Sequence, residues 1–109
     1  MKLLIAIIQD KDSQALQQEF NKSNVRATKL STTGGFLKAG NTTFMIGLDD
    51  DRVDDVLHLI KETCQSRSQF VTTPMSLEIA MDAHSSEPVE IQVGGATVFV
   101  LPTDGFHQF

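Results

Sequence analysis

The sequence predicts a small α+β sandwich with its elements in the order β-α-β-β-α-β and one extra strand near the C-terminus. Three observations carry this. An isoleucine-rich run of strand length opens the chain, an apolar period of three and four follows an acidic run, and strict alternation returns near the end.

Residues 2–9 are apolar enough for a buried strand, and Asp10 and Asp12 punctuate the run. Asp12 is read as a helix N-cap. Residues 13–23 then form a helix with Ala15, Leu16 and Phe20 on one stripe. Residues 24–32 read as a strand and 42–48 as its antiparallel partner, joined across Gly34 and Gly35. A second helix starts after Asp49, Asp50 and Asp51, where Val53, Val56, Leu57, Ile60 and Cys64 fall on one face. Residues 67–88 are polar and irregular, contain Pro74 and Pro88, and hold at most a short strand at 69–73. Val89, Ile91 and Val93 alternate with Glu90 and Gln92, and Gly94 with Gly95 turns the chain into 96–101, a hairpin pattern.

That order is ferredoxin-like. Such sheets usually carry helices on one face and solvent on the other, so their strands alternate. Here residues 3–8, 44–48 and 98–101 are apolar on both faces. Strands of that kind need cover on both sides, and two helices cover only one. A homo-oligomer, closed threefold around the open faces, is the expected answer.

Composition sets the outer bounds. A chain of 109 residues is expected to be one domain, 1–109. Its net charge of −5 and pI near 4.9 argue against non-specific binding to nucleic-acid polymers. Any anionic ligand must be held by local positive groups against that field. The opening apolar run is too short for a signal peptide core with a cleavage site, and no run nears the ~18 residues of a membrane span. One cysteine, Cys64, excludes an internal disulfide and fits a reducing cytoplasm.

Residues 24–44, NVRATKLSTTGGFLKAGNTTF, combine a di-glycine turn, a loop phenylalanine, basic residues and side-chain amides. Gly34 and Gly35 free the backbone to present its N–H groups, and Phe36 follows at once. A backbone cradle beside an aromatic plate suits a planar, anionic ligand such as a nucleotide. Phe36 is the natural base platform, although a loop phenylalanine tucked over the core is the plain alternative. Leu37 offers apolar contact, and Gly35 a backbone donor that hairpin geometry alone would also explain. Arg26 and Thr28 are two apart and share a strand face, suited to phosphate or base edges or simply to a solvated surface. Asn41 matches adenine N6 and N7 as a bidentate partner, or serves as a turn residue after Gly40. Gly47 interrupts an apolar strand, which marks close approach of a ligand or another backbone.

The segments MKLLIAIIQDKDS, NVRATKLSTTGGFLKAGNTTF, GLDDDRVDDVL and VEIQVGGATVFVLPTDGFHQF resemble the PII-like cyclic-di-AMP receptor family of Gram-positive bacteria. The likeness spans nearly the whole chain and is weakest over 68–88, where TTPMSLEIAMDAHSSEPVE is poor in glycine and aromatics. It implies trimers of ferredoxin-like subunits that bind cyclic di-AMP in clefts between neighbours, without enzymatic activity and without a cofactor. It places Arg26, Thr28, Gly35, Phe36, Leu37, Asn41 and Gly47 in the site, with Phe99 and Gln108 on the neighbouring side of the cleft. Position alone reads Phe99 as core and the terminal residues as interface packing. On this reading one adenine stacks on Phe36 and meets Asn41 and Gly47. The ligand would order residues 33–41 and 67–88 and so alter the surface shown to a downstream partner.

Other classes fare worse. The acids from Asp49 to Asp55 lack the glycine and glutamate spacing of a calcium loop and read as helix-start charges. His58, His84 and His107 share no metal-ligand spacing, which counts against a metal-binding trimer of the copper-tolerance type. Cys64 sits on an apolar helix face and reads as an inert thiol. No nucleophile–base pair or Walker-type loop points to an enzyme. A PII-type sensor of ATP or another mononucleotide is the nearest rival.

Overall fold

The structure, a computed structural model, describes residues 1–30, 40–71 and 88–109. In chain order the elements are β1 (Lys2–Gln9), α1 (Asp10–Lys22), β2 (Ala27–Leu30), β3 (Asn41–Leu48) and a 3-10 turn (Asp50–Arg52). Then follow α2 (Val53–Cys64), β4 (Arg67–Val71), β5 (Val89–Val93) and β6 (Ala96–Pro102). The main sheet has the order β2-β3-β1-β6 with every neighbouring pair antiparallel. Two split β-α-β units interleave in it, an arrangement compatible with a ferredoxin-like fold.

Both helices cover one face of this sheet. Leu4, Ala6 and Ile8 of β1 lie opposite Ile46, Phe44 and Thr42 of β3, and all six are at most 5% exposed. Leu16 and Phe20 of α1 and Val56, Ile60 and Cys64 of α2 complete the layer. Phe20 meets Phe44 edge-to-face with centroids 5.5 Å apart, the preferred geometry of an aromatic pair. The apolar stripe of α2 is as its spacing predicts. That of α1 is not, because Ala15 is exposed while Asp12 and Ser13 are buried.

The reason lies at the helix start. The helix begins at Asp10 rather than after Asp12, and among the described residues no side chain caps it. Asp12 instead points inward to Arg67 at the root of β4, Oδ1 to Nη2 at 2.8 Å. At the other end Asn24 takes φ 56°, and the Arg52 guanidinium donates to the Ser23 carbonyl at 2.9 Å. That contact places positive charge where the helix dipole favours it.

The expected hairpin across Gly94 and Gly95 does not form. Strand β5 pairs with β4 in a separate two-stranded ribbon, and β6 pairs with β1. The two glycines, at φ 85° and 95°, make the corner between the sheets. A Cβ on Gly94 would lie 2.5 Å from the Gln65 carbonyl oxygen, so no other residue fits without movement.

Candidate functional site

The sheet face turned away from the helices is the open one. By register Thr28, Met45, Ile5 and Phe99 form a row straight across its four strands. Phe99 is 54% exposed, so its placement in the core is overturned, and Val100 and Leu101 beside it are exposed too. On this side Thr43 is buried, and its hydroxyl has no hydrogen-bond partner among the described residues.

At one end of that face lies a cavity of about 360 Å³ bounded by Met1, Leu3, Thr28, Met45, Gly47, Thr103 and Phe106. Its floor follows from strand register. Leu3 lies opposite Gly47 and Thr28 opposite Met45, so their side chains, or the lack of one, share a surface. Gly47 is exposed there, and a Cβ built on it would meet only the flexible end of Met1, 3.3 Å away. Behind the edge strand β2, Arg26 and Thr28 line a more polar groove with Gln17, Asn21 and Asn24. Both Arg26 and Thr28 are exposed.

The sequence-predicted residues therefore separate into groups. Arg26, Thr28 and Gly47 gather at one end of the sheet. Asn41 begins β3 opposite Gln9, six residues before Gly47, and at ~3.3 Å per residue the two are about 20 Å apart. One adenine cannot meet both in the same chain, which corrects that expectation: nearness in sequence becomes distance once the segment is extended. Phe99 stands three strands from Thr28, about 14 Å away at ~4.8 Å per strand. Gln108 is exposed in the terminal segment. Gly35, Phe36 and Leu37 lie outside the described residues.

Four consecutive residues where β1 passes into α1 tie together the Asn41 end of the sheet, away from the cavity. The Gln9 side chain accepts from the Gly94 N–H at 2.8 Å. Asp10 donates its N–H to the Gly40 carbonyl at 2.9 Å, and its carboxylate accepts from the Thr42 hydroxyl. Asn41 is thus pinned on both sides. Lys11 donates to Gln69 at 2.8 Å, and Asp12 holds Arg67. That hydrogen-bonded carboxylate raises the pKa of Arg67 further above its ordinary value. Strand β3 and the β4–β5 ribbon consequently share one anchor. Sequence reading missed it because Asp12 and Arg67 are distant in the chain and Asp12 read as a helix cap.

The remaining chemistry is sparse. Burial, with help from the Asp12 charge, pushes the Cys64 thiol up to about 11, which keeps it protonated and poorly nucleophilic. Among the described residues no three His, Cys, Asp or Glu side chains gather to hold a metal. None of the described helices is long and apolar enough to cross a membrane. Met1, Leu3, Met45, Thr103 and Phe106 are the cavity residues that sequence reasoning did not assign to the site. Strand pairing could have found Met45, but nothing in the sequence gives Phe106 a position.

Fold and cavity define a small α+β protein with an open face and a cleft within the size range of ligand pockets. The sequence profile of the cyclic-di-AMP receptor family matches residues 1–109. The chain belongs to that family, a family of receptors for cyclic di-AMP rather than of known enzymes. It is also similar to the crystal structure of a functionally unknown protein from Pediococcus pentosaceus. The two are 52% identical with a TM-score of 0.76, over 99% of this chain and 96% of that one.

Proposed function

We propose that residues 1–109 form a single PII-like domain that assembles as a homotrimer and binds cyclic di-AMP in clefts between subunits. Family membership over the whole chain supports the ligand. The observation that carries the inter-subunit cleft is the row from Thr28 to Phe99. Both stand on one open face, yet about 14 Å separates them, so a shared ligand reaches both most simply when a neighbour supplies Phe99. Asn41 and Gly47, at opposite ends of β3, obey the same logic.

In this reading Arg26 and Thr28 address phosphate or base edges, and Gly47 lets a base approach the sheet backbone. Phe36 with Gly35 and Leu37 supplies the aromatic plate, and Gln108 joins from the neighbouring side with Phe99. The arginine provides the local positive charge that a net charge of −5 demands. The protein acts in the cytoplasm as a sensor, without catalysis or cofactor. It signals by changing the surface offered to a downstream protein. The shared anchor at Gln9–Asp12 supports this coupling, because a shift at Asn41 is transmitted through Asp10 to the residues that hold the β4–β5 ribbon.

Calorimetric titration with cyclic di-AMP, cyclic di-GMP and ATP tests the reading. Saturable, selective binding near one cyclic di-AMP per chain is expected, lost in Phe36→Ala and in Asn41→Ala. No binding by a folded, assembled protein would sink it, and displacement by ATP would favour a mononucleotide sensor. Hydrogen exchange at Gly40, Thr42 and the β4–β5 ribbon should slow on saturation. Unchanged exchange at all of them removes the coupling.

A further inference from the structure

We infer that Phe106 is a second aromatic wall of the nucleotide cleft, with an adenine seated on Gly47 between it and Met45. The inference rests on the cyclic-di-AMP reading and adds residues of this chain that neither the motif nor the family match assigns.

The cavity at the end of the sheet has a floor, an edge and one aromatic wall. The floor is apolar or bare: Leu3, Met45 and the exposed backbone at Gly47. A planar base can lie close to such a surface, and the Met45 thioether makes a soft, polarizable contact with it. Thr28 stands at the edge with a hydroxyl that donates or accepts at the base perimeter. Phe106 closes one side while remaining 62% exposed. Covering so exposed a phenyl ring removes apolar surface from water, and a flat base can cover a whole face of it.

The chain leading to this wall is anchored. The Thr103 N–H donates to the Met1 carbonyl at 3.3 Å, and the Met1 ammonium pairs with Asp50 at 2.9 Å. These contacts tie the segment after β6 to the start of β1, three residues before Phe106. The other two rings of the tail are engaged with each other, His107 stacked on Phe109 at 6.4 Å and 14° between planes. Phe106 is the tail aromatic that lines the cavity, and among the described residues no other ring stacks on it. Two adenines in one ligand call for two stacking surfaces, and Phe36 supplies one of them in the proposed site.

The chain contains no tryptophan and no tyrosine, so Phe106→Trp introduces a lone indole that reports on this position alone. In the assembled variant, cyclic di-AMP should quench and shift its emission with a midpoint matching calorimetry on the same sample. Phe106→Ala should weaken binding about 5- to 150-fold, the range expected for loss of one base–aromatic stack, with its assembly unchanged by light scattering. Unaltered emission at calorimetric saturation, together with wild-type affinity in Phe106→Ala, overturns the role of Phe106 and leaves the receptor reading standing. Absence of binding by the wild-type chain overturns the receptor reading itself.

Discussion

The two faces of the main sheet are built from equally apolar strands and meet opposite fates. Toward the helices, Leu4, Ala6, Ile8, Phe44 and Ile46 are almost completely buried. Away from them, Ile5 and Met45 are half-buried and Phe99 is more than half exposed. The difference is one of supply: two helices cover a single four-stranded face, and among the described residues no further helix covers the other. Apolar strands on an uncovered face mark an interaction surface. The first face stores stability, and the second is the one on which the proposed assembly and ligand cleft would draw.

Mutation on each side should separate these roles. Phe44→Ala removes the partner of Phe20 from the covered face and should cost ~3–5 kcal/mol in denaturant unfolding. Phe99→Asp on the open face should leave circular dichroism unchanged but shift light scattering to smaller species. Equal loss of secondary structure in both would erase the distinction.

The corner between sheet and ribbon sharpens the comparison, because there the backbone itself is packed. Gly94→Ala meets both a positive φ and the Gln65 carbonyl, while Gly95 at a similar φ has nothing within 4 Å of a built Cβ. Gly94→Ala should therefore cost more than the ~1–3 kcal/mol of backbone strain, and Gly95→Ala no more than that strain. Equal melting losses would contradict the close approach.

The smallest effect belongs to Cys64. Its folded-state pKa is raised by burial to about 11, so the folded protein holds its proton more tightly than the unfolded chain does. The thiol therefore leaves stability unchanged below its ordinary pKa. Above that value stability falls as pH rises toward about 11, by at most ~1.4 kcal/mol per unit. Cys64→Ala should flatten that slope, and alkylation of the native thiol at neutral pH should be slow. Rapid native alkylation would place the thiol in solvent instead.

Much of the fold was legible because local pattern carries it. The isoleucine run of β1, the apolar period of α2 and the two-residue parity of Arg26 and Thr28 each depend on neighbours in the chain. The α1 start was not legible, since Asp12 is turned inward by Arg67 from more than fifty residues away. The same holds for the C-terminal strands. Alternation followed by two glycines reads as a hairpin, and only competition for partners sends β5 to β4 and β6 to β1.

By itself the sequence determined the element types, the two-sided apolarity that calls for a partner surface, and the family to which the chain belongs. The first two are properties of composition and period, and the third of motifs matched along the whole chain. Only the tertiary structure decided which residues share a site. It set Asn41 apart from Gly47, laid Thr28 and Phe99 in one row across four strands, and brought Phe106 to the cavity. Strand register and chain reversal, not sequence spacing, decide which side chains can touch one ligand.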